Sequence, residues 1–141
     1  MSQWFTKGKS AKTAPKSPVP VTAEEIESYL KTNNRDVDGS AIAELGFNLN
    51  LWNGGSATLS ITCGAFSPAI RNSVVVSLPP TAEVGEGVLA TLRSLLDACI
   101  DAWDPTNAVA TSSQLIAQEG GGMPWQTRGW LNYSNVGPVP E

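Results

Sequence analysis

The chain contains no histidine. That absence excludes Ser-His-Asp and Cys-His catalytic arrangements, and every zinc site that needs imidazole. Cysteine is scarce: Cys63 and Cys99 are the two present. Both fall within apolar patterns, which predicts reduced core thiols rather than a disulfide. No apolar run approaches the roughly 20 residues needed to span a bilayer. The first residues carry lysines with no apolar stretch behind them, so they are not read as a secretory signal. A cytoplasmic location is the expectation. Charged residues are few, at 16%, but 41% of the 141 positions are apolar. That is enough for a folded core and argues against global disorder.

The charge is unevenly placed. Residues 1–23 carry Lys7, Lys9, Lys12 and Lys16 and no acid. Residues 24–141 hold 5 basic and 13 acidic groups, a net of −8. An acidic body repels nucleic acid and favours a basic partner.

Pro15, Pro18 and Pro20 interrupt residues 1–21, which read as a flexible Lys/Pro/Ser-rich tail. Residues 22–141 are expected to form a single domain. Thr22 and Glu25 make a capping box, with Val21 and Ile26 as its hydrophobic staple. A helix over about residues 23–32 should follow, presenting Ile26, Tyr29 and Leu30 on one face until Asn33-Asn34.

Residues 43–65 alternate apolar and polar side chains on both sides of Asn53-Gly54-Gly55. This predicts a β-hairpin with one buried face. A two-residue turn would set apolar against polar positions. A three-residue turn over 53–55 keeps the faces matched, with Gly55 left-handed. It pairs Leu51 with Ala57, Leu49 with Leu59, Phe47 with Ile61 and Leu45 with Cys63. Trp52 then lies on the polar face opposite Ser56.

Residues 73–78 read as a third strand, stopped by Pro79-Pro80. A long helix is predicted over about 83–103, with Thr81 as N-cap and Asp104-Pro105 as its end. Its apolar stripe runs from Val84 through Val88, Leu92, Leu95, Leu96, Cys99 and Ile100 to Trp103. Further strands are expected near 108–111 and 129–133. The fold class is then α+β: an antiparallel sheet of about five strands, one long helix packed on one face, and a short N-terminal helix.

Catalytic groupings are sparse. Asp97, Asp101 and Asp104 share one side of the long helix and could be read as a metal cluster. A solvated face, with Arg93 pairing Asp97 one turn away, is the preferred reading. Gly85-Glu86-Gly87 lacks the third Gly and the Lys-Ser/Thr of a phosphate loop. Cys63 has no base to activate it. No metal or cofactor is expected, and the chain is not read as an enzyme. Aromatic residues outside any apolar stripe remain: Trp52, Trp125, Trp130 and Tyr133. Such residues anchor protein interfaces.

Five motifs occur in order: Leu51-Trp52-Asn53-Gly54, Ser60-Ile61-Thr62-Cys63-Gly64, Asn72-Ser73-Val74-Val75 running to Leu78-Pro79, Ala102-Trp103-Asp104-Pro105, and Gly129-Trp130-Leu131-Asn132-Tyr133. Together they resemble immunity protein 52, a bacterial family found beside polymorphic toxins that often carry a restriction-endonuclease-like nuclease domain. The resemblance spans roughly residues 43–134. It implies an antitoxin that binds and blocks a cognate toxin without catalysis. Nucleic acid and membrane are not expected partners, and a homo-oligomer is left open. The candidate toxin contacts are Trp52, Asp97, Asp101, Asp104, Trp130 and Tyr133. The competing reading is a non-catalytic adaptor or a secretion-chaperone-like structural domain, supported by the Lys-rich tail. Pull-down of a nuclease discriminates between the two.

Overall fold

A computed structural model describes residues 4–6, 19, 22–32, 35–80 and 85–135. The class is α+β, with the strands divided into a four-stranded and a two-stranded sheet rather than one sheet of five. The chain forms two units, residues 1–80 and 81–141.

In the first unit, helix α1 spans Ala23–Thr32. The Thr22 hydroxyl accepts from the Glu25 N–H at 3.4 Å and donates to the Glu25 carboxylate at 2.6 Å. The box therefore closes through the hydroxyl itself. Val21 and Asn33-Asn34 lie outside the described residues. Lys31 and Glu27 form an i,i+4 ion pair, and the Lys31 hydrogen bond and charge hold the Glu27 carboxyl below its ordinary range. Both groups are exposed, so the pair contributes little stability.

The sheet contains β1 (Phe5–Thr6), β2 (Phe47–Trp52), β3 (Thr58–Cys63) and β4 (Ser73–Ser77), in that spatial order, with every neighbouring pair antiparallel. Strand β1 falls within the stretch expected as tail. Phe5 pairs with Trp52 and Thr6 with Leu51.

The hairpin keeps its faces but not its expected register. Leu51 pairs with Leu59, Leu49 with Ile61 and Phe47 with Cys63, a slide of two residues. A slide of two preserves the side-chain alternation, so hydrophobic patterning cannot distinguish the two solutions. The turn decides. The Asn53 N–H donates to the Ala57 carbonyl at 3.2 Å. The Asn53 Oδ1 accepts from the Gly55 N–H at 2.9 Å and the Ala57 N–H at 3.1 Å. The loop tip is thus 54–56, and Gly54 rather than Gly55 is left-handed, at φ 79°. Trp52 remains on the polar face, now opposite Thr58.

The hairpin also begins later than the alternation suggests. Ala43–Leu45 form a 3-10 turn, and Gly46 follows at φ 64°. A Cβ at Gly46 would sit 2.3 Å from the Cys63 carbonyl oxygen. Only glycine fits there, and it redirects the chain before β2 starts. Leu45 is consequently outside the ladder. Cys63, expected in the core, is exposed at the ladder's end.

One face of this sheet is apolar. Leu49, Leu51 and the loop residue Ala57 are buried, and Leu59, Ile61, Val74 and Val76 are half-buried beside them. Helix α1 packs against β2. Ile26 and Leu30 line a groove of about 420 Å³ with Phe47. The opposite face is uncharged and mostly polar, with Trp52 at one end and Val75 on β4. Ser60 donates to Asn50 at 2.6 Å and Thr62 to Asn48 at 3.4 Å across the strands.

In the second unit, α2 spans Glu86–Trp103. Residues 81–84, with the expected N-cap Thr81, lie outside the described residues; Gly85 precedes the helix without a side-chain cap bond. No residue of α2 is fully buried. Val88, Leu92, Leu95, Leu96, Cys99 and Ile100 are half-buried, and Trp103, expected in the core, is 50% exposed. The helix packs against the four-residue strand β5 (Asn107–Ala110). So short a partner cannot cover an 18-residue stripe.

Strand β6 (Leu131–Ser134) pairs antiparallel with β5, matching Ala108 with Tyr133 and Ala110 with Leu131. Gly129, expected inside the last strand, precedes it. A Cβ there would meet the Ala110 carbonyl oxygen at 2.2 Å. A short helix, α3 (Ser113–Gln118), completes the unit with a 3-10 turn at Pro124–Gln126. The Ser112 hydroxyl caps α3 by accepting from the Leu115 N–H at 3.2 Å. Alternation reasoning missed this helix because it has under two turns, too few for a periodic signal.

Candidate functional site

The second unit holds the three aspartates of α2. Asp97 and Asp101 are one helical turn apart and exposed, and Asp104 is the exposed C-cap. Asp104 is the one described non-glycine residue with positive φ, at 43°. Its N–H donates to the Ile100 carbonyl at 2.9 Å and closes the last turn. Pro105 then prevents any continuation.

The electrostatics of this end are one-sided. A helix C-terminus carries about half a negative charge, which basic residues in the last turn usually offset. The last turn of α2 has no basic residue. Asp101 and Asp104 add two carboxylates there, with Asp97 a turn earlier. Among the described residues, the ion pair present is Lys31–Glu27, so Arg93 does not bridge to Asp97. The negative potential is therefore left for solvent or for a partner. Among the described residues, no group of acids, histidines or cysteines is arranged to hold a metal ion.

Trp130 is 37% exposed and lies just before β6. It lines a shallow hollow of about 210 Å³ with Ser112, Gln114, Leu115 and Gln118. The capped N-terminus of α3 forms one wall, so a rigid element supports the hollow. The adjacent Thr111 hydroxyl is buried with no hydrogen-bond partner among the described residues. Tyr133 is half-buried opposite Ala108. Trp130, just before β6, is turned to solvent, and Tyr133, within it, is partly packed.

Trp52 belongs to the first unit and is committed locally. Its indole N–H donates to the Gly55 carbonyl at 2.6 Å, and its ring lies 6.1 Å from that of Phe5. It clamps the hairpin turn as well as presenting an aromatic edge. The sequence reading placed Trp52 correctly on the polar face but missed this clamp. It also missed Trp103 as an exposed aromatic beside the acidic helix end. The signal was available: the stripe ends at Trp103, immediately before a Pro-marked stop, where a helix end projects past its support.

No described helix is long and apolar enough to cross a membrane. No curated protein and no solved structure shows a significant match to the chain. The immunity protein 52 family profile does match, over residues 1–141, so the relationship extends beyond the 43–134 stretch that carries the motifs. The chain with the acidic helix end and the exposed tryptophans belongs to the immunity protein 52 family.

Proposed function

We propose that this immunity protein neutralises its cognate toxin by occlusion, and that the toxin is a nuclease. The observation that carries the reading is the uncompensated negative end of α2, formed by Asp97, Asp101 and Asp104 with no basic residue in the last turn. A nuclease binds a polyanion, so its cleft gathers Lys and Arg. An acidic projection complements that cleft and is steered towards it. Trp130, exposed over its hollow, serves as the aromatic anchor. Tyr133 supports it; Trp52, in the first unit, is a toxin contact in its own right. The protein performs no catalysis, acts in the cytoplasm, and inhibits by keeping substrate out.

The test uses the purified toxin and immunity protein in rapid-mixing association at several salt concentrations. Asp97→Lys with Asp101→Lys should slow association by about tenfold at low salt and flatten its salt dependence. Trp130→Ala should leave association alone and speed dissociation by roughly 30-fold, the equivalent of about 2 kcal/mol for a hot spot. If both variants bind as the parent does, the contact surface lies elsewhere.

A further inference from the structure

We propose that β4 is a two-fold interface through which two copies of this chain join their four-stranded sheets edge to edge. The inference stands apart from the toxin reading and rests on the register of β4 and its sequence.

Strand β4 is the last strand of its sheet, and no further described strand pairs with it. The hydrogen-bond phase of its outer edge follows from the hairpin. The Asn53 N–H bonds to the Ala57 carbonyl, so 53 and 57 are a hydrogen-bonded pair. Such pairs alternate along an antiparallel ladder. In the same phase, Leu51–Leu59, Leu49–Ile61 and Phe47–Cys63 exchange bonds. Thr58, Ser60 and Thr62 then turn their main-chain groups towards β4, where they meet Ser77, Val75 and Ser73. Val74 and Val76 are left directing N–H and C=O away from the sheet. Outside the sheet, no described residue makes a backbone hydrogen bond to either.

Exposed edges are normally protected by charge, proline or a bulge. Residues 73–77 contain no charge and no proline, and their pairing with β3 is unbroken. What they do contain is a palindrome, Ser-Val-Val-Val-Ser, centred on Val75. An antiparallel copy aligned on that centre sets Val74 against Val76 and Val76 against Val74. Those are the two residues whose main-chain groups face outward, so both pairs exchange hydrogen bonds in phase. Ser73 meets Ser77 at each end. Val75 meets its own counterpart across the axis as a non-hydrogen-bonded pair, where side chains approach most closely.

This arrangement also accounts for an oddity of side-chain placement. Val75 is 52% exposed, and its neighbours on that face of β3 and β4 are Thr58, Ser60, Thr62, Ser73 and Ser77. Paired with itself, Val75 loses part of that exposure. Every contact is self-complementary, as a closed two-fold interface requires. A strand from another protein would have no reason to match the palindrome. Pairing through five residues buries less than the roughly 1,600 Å² of a standard interface. The association is therefore reversible and concentration-dependent.

Sedimentation equilibrium of the full chain, without toxin, tests this directly. The parent should move from monomer to dimer with concentration in the micromolar range. Val75→Lys sets two ammonium groups against each other at the axis and should weaken association at least tenfold. Covalent trapping covers the case in which that variant misfolds. In a Cys63→Ser background, Val75→Cys should form a disulfide-linked dimer under mild oxidation, because Cα atoms of a non-hydrogen-bonded pair lie about 4.5 Å apart, within disulfide range. Ser77→Cys, which faces Ser73 of the other copy, should crosslink far less. A parent that stays monomeric throughout overturns the proposal. So does equal crosslinking at 75 and 77, or a Val75→Lys variant that dimerises like the parent. A monomeric parent whose toxin binding is lost in Val75→Lys would assign the edge to the toxin instead, and would equally refute the dimer.

Discussion

Replacing Asn53 with alanine should destabilise the hairpin by about 1.5–4.5 kcal/mol, the sum of two unequal losses at one oxygen. The Asn53 Oδ1 accepts from the Gly55 and Ala57 N–H groups, at 2.9 and 3.1 Å. Gly55 is exposed, so water replaces the lost acceptor and the bond is worth about 0.5–1.5 kcal/mol. Ala57 is only 7% exposed, and stranding its N–H costs about 1–3 kcal/mol. Aspartate at the same position keeps the accepting oxygens, so Asn53→Asp should retain most of the parent stability. Urea unfolding followed by circular dichroism measures both variants, and the denaturant slope should stay unchanged because no new surface is exposed. Asn53→Ala within 0.5 kcal/mol of the parent, about the scatter of neutral surface changes, would refute the account. Equal damage from alanine and aspartate would refute it too.

Two further outcomes are expected. Asp104→Gly should raise stability by about 1 kcal/mol, because glycine adopts the left-handed C-cap without penalty and one negative charge leaves the negative end of α2; a fall in thermal midpoint would contradict this. Cys63 should react with a thiol reagent much faster than Cys99 in the native state, since Cys63 is exposed whereas burial raises the Cys99 thiol pKa and keeps its thiolate scarce at any given pH. Equal rates would contradict the burial of Cys99.

Much of the local structure was legible from the sequence because it follows from side-chain period and end signals. The α1 range, the α2 stop at Asp104-Pro105 and the short β4 follow from the capping box, the proline marks and the β-branched run. Three features escaped for physical reasons. The register was degenerate under a slide of two, and a single amide oxygen broke the tie. Strand β1 has two residues, too short for any period, and forms only because β2 offers it an edge. The division of strands into two sheets depends on long-range pairing that alternation does not encode. For the candidate surface, exposure of the aspartates was readable from the helix wheel. The exposure of Trp103 was signalled only by its place at the end of the stripe, just before Asp104-Pro105, and the Trp52 clamp not at all, since it depends on where the hairpin turn closes.

Rigidity is therefore distributed very unevenly along this chain. Leu49, Leu51 and Ala57, the buried apolar residues among those described, all lie in one hairpin, whereas α2 has none. Opening free energies follow buried contacts and shielded backbone bonds. The hairpin should be the last part of the molecule to open, and α2 should fluctuate at a lower free energy. A helix with no buried residue, packed against a four-residue strand, can shift or fray at its end. The acidic, tryptophan-bearing end of α2 is thus carried on a compliant arm, able to adapt to a partner's contour while the hairpin keeps its own shape.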